Sequence, residues 1–241
     1  MSDQKQLDPM TTAQGPKPGE SATIKEAVIR IAGDSQDGIQ AIGGFLARLA
    51  GRSEQDVMTF MTIPSTISGG ASIFQVRIGS GEVLSAGDEA DVLLCFYDHS
   101  YANHLSSLKR GGIVLYDSDH VKPNEELLSS YHHVGVPISS LTVEAIGGTG
   151  RDKGKNIYSL GLLARMFDLN VPKLTKLIEE RFGGKDKSIV ENALLCFNSG
   201  RAGRTASSTS WRATFPTRST GTARRSGRFR RNSPLTRRSP H

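Results

Sequence analysis

The chain has 241 residues, 37% of them hydrophobic, which is enough apolar material for one sizeable core and argues against two large ones. Its formal charge of +6 invites a nucleic-acid reading, but 10 of the 30 basic residues lie between Gly203 and His241, where no acidic residue occurs, leaving 20 basic against 24 acidic residues before Gly203. The body is therefore mildly acidic, and nucleic acid is not expected as its partner.

No stretch approaches the roughly 18 consecutive apolar residues of a membrane span, and the first two dozen residues hold no apolar run of the signal-peptide kind, so the expectation is a cytoplasmic protein without a membrane partner. Residues 1–23 are polar and carry Pro9, Pro16, Pro18, Gly15 and Gly19, and read as a disordered leader. The only two cysteines, Cys95 and Cys196, each sit in an LLCF run. They match neither a disulfide framework nor a cluster-binding spacing, and read as core thiols.

The folded part begins with the β-branched run Val28, Ile29, Ile31, followed by Gly33-Asp34-Ser35-Gln36-Asp37-Gly38 and a helix carrying Ile39, Ile42, Leu46 and Leu49 on one face. Further strands are expected over 57–63, 73–78, 92–97 and 113–116. Gly79-Ser80-Gly81 marks a turn that would fold a short strand at Val83 and Leu84 back onto 73–78. Tyr101, Leu105 and Leu108 suggest a short amphipathic helix, ended by Gly111-Gly112. Three helical stretches follow, with stripes through Ile157, Leu160, Leu163 and Phe167, through Leu174, Leu177, Ile178 and Phe182, and through Ile189, Val190, Ala193, Leu194 and Phe197. Pro172 suits the first turn of the second. The sum is a three-layer α/β/α, Rossmann-like domain over residues 24–201 with a mixed sheet.

The loop 33–38 occupies the position of a phosphate site without its chemistry. Ser35 stands where a dinucleotide fingerprint needs glycine, no Gly-Lys-Ser/Thr follows, and two carboxylates oppose the helix dipole. A capping role suits it better: Asp37 as N-cap, with Gln40 three residues on completing a capping box. Asp34 and Ser35 lie outside that role and, at the C-terminal edge of a parallel strand, are candidates for contacting a ligand or partner at a switch point. His132 and His133 stand before a strand and would face opposite sides, which speaks against a shared metal.

The segment Val28-Ile29-Arg30-Ile31-Ala32-Gly33-Asp34-Ser35-Gln36-Asp37-Gly38 resembles the AGDSGDG opening of 2-oxoglutarate:ferredoxin oxidoreductase alpha subunits. Ile63-Pro64-Ser65-Thr66-Ile67 with Gly69-Gly70 and Phe74-Gln75-Val76 resembles the family's P-x-x-I-x-G-G and FQV elements, and Gly87-Asp88-Glu89-Ala90-Asp91-Val92-Leu93 its GDE-x-DVL. Leu108-Lys109-Arg110-Gly111-Gly112, Val136-Pro137, Leu141-Thr142-Val143-Glu144-Ala145 and Lys155-Asn156 with Leu160-Gly161-Leu162-Leu163 resemble later blocks. The similarity runs in order from Ala27 to Arg201. It departs at Gln36, where relatives carry glycine, and at Ser68, where many carry arginine.

The resemblance implies the N-terminal, gamma-type domain of an enzyme that decarboxylates a 2-oxoacid to an acyl-coenzyme A and reduces ferredoxin. Pyruvate and branched-chain 2-oxoacid enzymes are the alternatives for substrate. The complete enzyme uses thiamine diphosphate, magnesium and an iron-sulfur cluster; none is expected on this chain, whose implied role is assembly with alpha-type and beta-type domains and access of coenzyme A, so that the chain by itself is expected to be inactive. Ser65, Gly69 and Gly70 join Asp34 and Ser35 as candidate contacts. Lys155 and Asn156 are the polar pair expected to meet substrate or a phosphate of coenzyme A; the alternative is a solvated lysine before a helix with Asn156 as its cap. The family's alpha-type domain, expected soon after Asn198, is not recognisable in residues 202–241. That tail reads either as a disordered basic arm binding nucleic acid or anionic lipid through charge, or as out-of-frame translation, and the second is favoured because the resemblance ends where the composition breaks.

Overall fold

The computed structural model describes residues 26–62, 70–147 and 154–203. The leader, the tail beyond Gly203, and with them Ser65 and Gly69, lie outside the described residues. Among the described residues six strands form one mixed sheet: β1 (Glu26–Asp34), β2 (Asp56–Thr62), β3 (Ala71–Gly79), β4 (Ala90–Cys95), β5 (Leu108–Asp117) and β6 (His132–Val136), in the order β2-β3-β1-β4-β5-β6. Pairing is antiparallel for β1 with β3 and β3 with β2, and parallel from β1 through β4 and β5 to β6. The central strands read as continuous apolar runs because both faces are covered; Ile29, Ile31, Val92, Leu93 and Leu94 are fully buried.

One face carries five helices: α1 (Ile39–Gly51), α3 (Ile138–Ile146), α4 (Lys155–Met166), α5 (Val171–Phe182) and α6 (Lys187–Ala202). The other is covered by the short α2 (Asp98–His104), by two 3-10 turns, and by Val121 and Tyr131 of the β5–β6 connection. These are the three layers expected. The helical stripes fall where the periodicity puts them, and Asn170 caps α5 through Lys173 N–H, with Pro172 in its first turn.

Four local expectations are corrected. Val83 and Leu84 form no strand; residues 80–89 run as a loop, Leu84 is 78% exposed, and the β1 and β2 neighbours already occupy both edges of β3. Gly111-Gly112 does not end a helix. The helix stops at His104, and the glycines lie inside β5, where Gly111 takes φ +76° beside the register shift against β4. Asp37 is not the N-cap of α1: Gly38, in the left-handed region, holds that place, and Asp37 turns back to accept the Asp34 N–H at 2.8 Å. His132 and His133 open β6 rather than precede it.

Candidate functional site

The chain leaves β1 toward α1 on the five-helix face and leaves β4 toward α2 on the opposite face. Since β1 and β4 are parallel neighbours whose connections leave on opposite faces, their C-terminal edge is a topological switch point, the mouth of the kind of crevice at which open α/β sheets bind ligands. Asp34 and Ser35 follow β1 at this edge, and Phe96, Tyr97 and His99 follow β4.

Beneath the mouth lies a charged cluster. Lys155, the first residue of α4, is fully buried and its Nζ donates to the Tyr97 hydroxyl at 3.2 Å, stands 3.5 Å from Asp37 Oδ1, and lies over the rings of Phe96 and Tyr97. Tyr97 in turn donates to Asp37 Oδ1 at 2.9 Å. Asp37 uses its other oxygen for the Asp34 N–H, so a chain of contacts runs from α4 through Tyr97 to the β1 loop. Removed from water, an ammonium persists only when paired and hydrogen-bonded, and the flanking rings supply further cation–π attraction. Outside this cluster, the Asp34 carboxylate, 42% exposed, meets His99 Nε2 at 3.3 Å; His99 stacks on Tyr97, and His120 tilts against the same ring.

The sequence-derived candidates thus converge, though in different roles. Asp34 and Ser35 line the mouth, and Gly70 joins them by accepting the Ser35 N–H at 3.0 Å. Asn156 packs its amide against Gly38, whose φ of +70° and whose missing side chain make room for it. Lys155 is not a solvated residue: it is wholly enclosed, with Tyr97 and Asp37 among its partners, and Gly154, not Asn156, holds the N-cap position of α4. Tyr97, His99 and His120 belong to no motif. For Tyr97 and His99 the signal is topological, since residues just after the strand that neighbours β1 in parallel share its edge; His120 follows β5, one strand further on.

The loop is no phosphate cradle. Asp34 N–H and Ser35 N–H, which would face an anion, are already donated to Asp37 and to the Gly70 carbonyl, and a side chain at Gly33 would meet Phe96 at 2.8 Å. The described residues likewise do not fit a metal diphosphate or an iron-sulfur cluster. Among them no group of three or more His, Cys, Asp or Glu side chains converges. Cys95 and Cys196 are buried in different cores, one on each face of the sheet, where burial pushes the Cys196 thiol up to about 11 and the Cys95 thiol higher still, against the thiolate that a cluster needs. Among the described residues no helix is long and apolar enough to cross a membrane.

Residues 28–203 match the family described as pyruvate ferredoxin/flavodoxin oxidoreductase. The chain belongs to this family. Among curated relatives, the 2-oxoglutarate oxidoreductase subunit KorA of Mycobacterium tuberculosis is 30% identical over 78% of this chain and 34% of its own length. The ketoisovalerate oxidoreductase subunit VorA of Methanothermobacter marburgensis is 27% identical over 72% of this chain and 36% of its own. Among solved structures, the 2-oxoglutarate:ferredoxin oxidoreductase of Magnetococcus marinus, with 2-oxoglutarate, coenzyme A and succinyl-CoA bound, aligns with a TM-score of 0.68 and 28% identity over 74% of this chain and 31% of that one. A keto/oxoacid ferredoxin oxidoreductase gamma subunit from Geobacter sulfurreducens shares the fold, with a TM-score of 0.59 and 23% identity over 73% of this chain and 94% of that one. The chain spans about a third of the length of the curated relatives it matches.

Proposed function

We propose that this chain supplies the gamma-type domain of a 2-oxoglutarate:ferredoxin oxidoreductase, a non-catalytic domain that assembles with the alpha-type and beta-type parts and governs access of coenzyme A to them. The observation that carries this reading is the pattern of coverage. One third of each 2-oxoglutarate relative aligns with this chain, while nearly the whole fold of a separate gamma subunit does. This coverage supports reading residues 26–203 as one module, with thiamine diphosphate, magnesium and the iron-sulfur cluster held by others.

Within this role the crevice between β1 and β4 is the contact site. Asp34 and Ser35 meet the ligand or the neighbouring domain, with Gly70 holding Ser35; Ser65 and Gly69, which precede Gly70 in sequence, lie outside the described residues and join them as candidate contacts. Lys155 and Asn156 keep the loop in place from behind. Among the described residues the mouth carries the Asp34 carboxylate and the Tyr97, His99 and His120 rings, so it favours groups that donate hydrogen bonds or stack, while the Lys155 ammonium is turned inward.

The test is reconstitution. Alpha-type and beta-type partners, with and without this chain, are assayed by viologen reduction with coenzyme A and each of 2-oxoglutarate, pyruvate and 2-oxoisovalerate. This chain alone should show no turnover, and adding it should raise turnover on 2-oxoglutarate above that on the other two. Turnover by the chain alone would refute the accessory role, and a preference for 2-oxoisovalerate would move the substrate to the branched-chain class.

A further inference from the structure

The two edges of the sheet are built differently. β6 is five residues long, carries His132, His133 and Gly135, and so has the short, polar character with which edge strands avoid pairing. β2 is seven residues, Asp56-Val-Met-Thr-Phe-Met-Thr62, with no lysine, no proline and no bulge. No described strand pairs with its outer side, and Phe60 and Met61 are 51% and 49% exposed. Such a strand is a template for adding another.

We infer that β2 pairs with β2 of a second copy, antiparallel about a twofold axis at Thr59, to give a continuous twelve-stranded sheet. The register follows from geometry. A twofold axis perpendicular to the sheet keeps each side chain on its own face, so residues opposite one another must differ by an even number, and one residue must face itself. Placing Thr59 there overlaps all seven residues; any other centre shortens the pairing. The inner cross-strand partners are then Val57 with Met61 on the α1 face and Met58 with Phe60 on the other, both apolar pairs, flanking Thr59 opposite its own copy, with Asp56 opposite Thr62 at the ends.

Charge agrees with this occupant. Asp56, the only ionisable residue of the strand, falls opposite Thr62, which puts the two Asp56 carboxylates at far ends of the paired strands, about 20 Å apart. That exceeds the screening length of about 8 Å at physiological salt, so no repulsion opposes the pairing. The inference concerns the edge alone and does not depend on the reaction or the substrate.

Sedimentation of the full chain and of Thr59→Cys, Asp56→Cys and Phe60→Lys variants tests it, because the native thiols are buried and leave the introduced ones to report. The wild-type chain should sediment as a dimer at tens of micromolar. Under mild oxidation Thr59→Cys should form a disulfide dimer, since directly opposed strands bring Cα atoms within about 4.5–5.5 Å, and Asp56→Cys should not. Phe60→Lys should weaken association by about tenfold or more while far-UV circular dichroism stays native. If Thr59→Cys itself fails to fold, Met58→Cys combined with Phe60→Cys places a thiol pair across the same axis. A monomeric wild-type chain, cross-linking of Asp56→Cys as fast as Thr59→Cys, or dimerisation unaffected by Phe60→Lys in a folded chain would each overturn the pairing.

Discussion

Lys155 Nζ and Asp37 Oδ1 stand 3.5 Å apart with side-chain exposures of 0% and 7%, so the ammonium at the start of α4 is the counter-ion of a carboxylate in the β1–α1 loop. Removing one partner of such a buried pair leaves the other uncompensated, at a cost of about 3–5 kcal/mol. Lys155→Met should therefore lower the unfolding free energy by that order in urea titration. Lys155→Met with Asp37→Leu should recover most of the loss, because the pair's Coulomb energy is largely offset by the desolvation of both charges. A double variant as unstable as the single one would mean that the cluster's hydrogen bonds to Tyr97 and Asp34, rather than its charge balance, hold the loop.

The distinction bears on what a sequence can disclose. The strands and the helical stripes were legible because burial on both sheet faces gives apolar runs and burial on one helix face gives period 3.6; Ile29 to Leu94 and Leu160 to Phe197 follow those rules. Lys155 was legible as a noteworthy residue but not as a buried one. Lysine at a helix start reads as solvated unless its partner is known, and Asp37 comes from a loop more than a hundred residues earlier. The same non-locality hid the 80–89 loop. Gly79-Ser80-Gly81 is a valid turn, but β1 and β2 had already taken both edges of β3. Gly111 and Gly112 misled for the opposite reason: a glycine pair ends helices often and interrupts a strand seldom, and here the bulge against β4 used it.

His133 ties three elements together: its ring nitrogens stand 2.9 Å from the Tyr101 hydroxyl and 3.2 Å from the Tyr131 carbonyl, and Tyr101 accepts the Asn124 N–H. Burial lowers its pKa, the hydrogen bond to the Tyr131 carbonyl opposes this in part, and the charge of His132 adds a smaller lowering. His104 shifts the same way, through burial and the charges of Arg30 and His99. Both imidazoles are thus neutral in the fold where an unfolded chain would begin to protonate. Above the ordinary value of 6.5 neither state is charged and their contribution is complete; below it the unfolded chain takes up protons that the fold does not, so stability falls. Urea midpoints measured from pH 7.5 down to about 5 should decline, and His133→Gln should flatten the decline. An undiminished slope in that variant would assign it to other groups.

The thiols allow a separate check on the two cores. Cys95 belongs to the α2 face and Cys196 to the five-helix face, both closed to water and both held protonated by burial. A thiol-specific reagent should modify neither in the native chain over the time in which it modifies both in urea. Graded reaction of Cys196 ahead of Cys95 at intermediate urea would mean that the helical layer opens before the sheet; simultaneous reaction is expected, since Ile157, Leu163 and Phe197 share one continuous core with β1 and β4.

The crossing of α4 and α6 offers the sharpest packing test. At Gly161 an added Cβ would run into the Phe197 carbonyl, and at Gly200 into the carbonyl of Tyr158, so each helix approaches the backbone of the other at a point where only glycine fits. Alanine ordinarily gains about 1 kcal/mol over glycine within a helix. Here the gain is reversed, because the obstructing atoms are backbone and the helices must separate, loosening Leu160, Leu163 and Phe197, all fully buried. Gly161→Ala and Gly200→Ala should each cost about 1–3 kcal/mol in denaturant unfolding. Gly44→Ala in α1, where nothing lies within 4 Å of the new methyl, should instead be neutral or stabilising. That contrast separates a steric effect from helix propensity, and equal effects at all three glycines would show that the two helices do not pack this closely in solution.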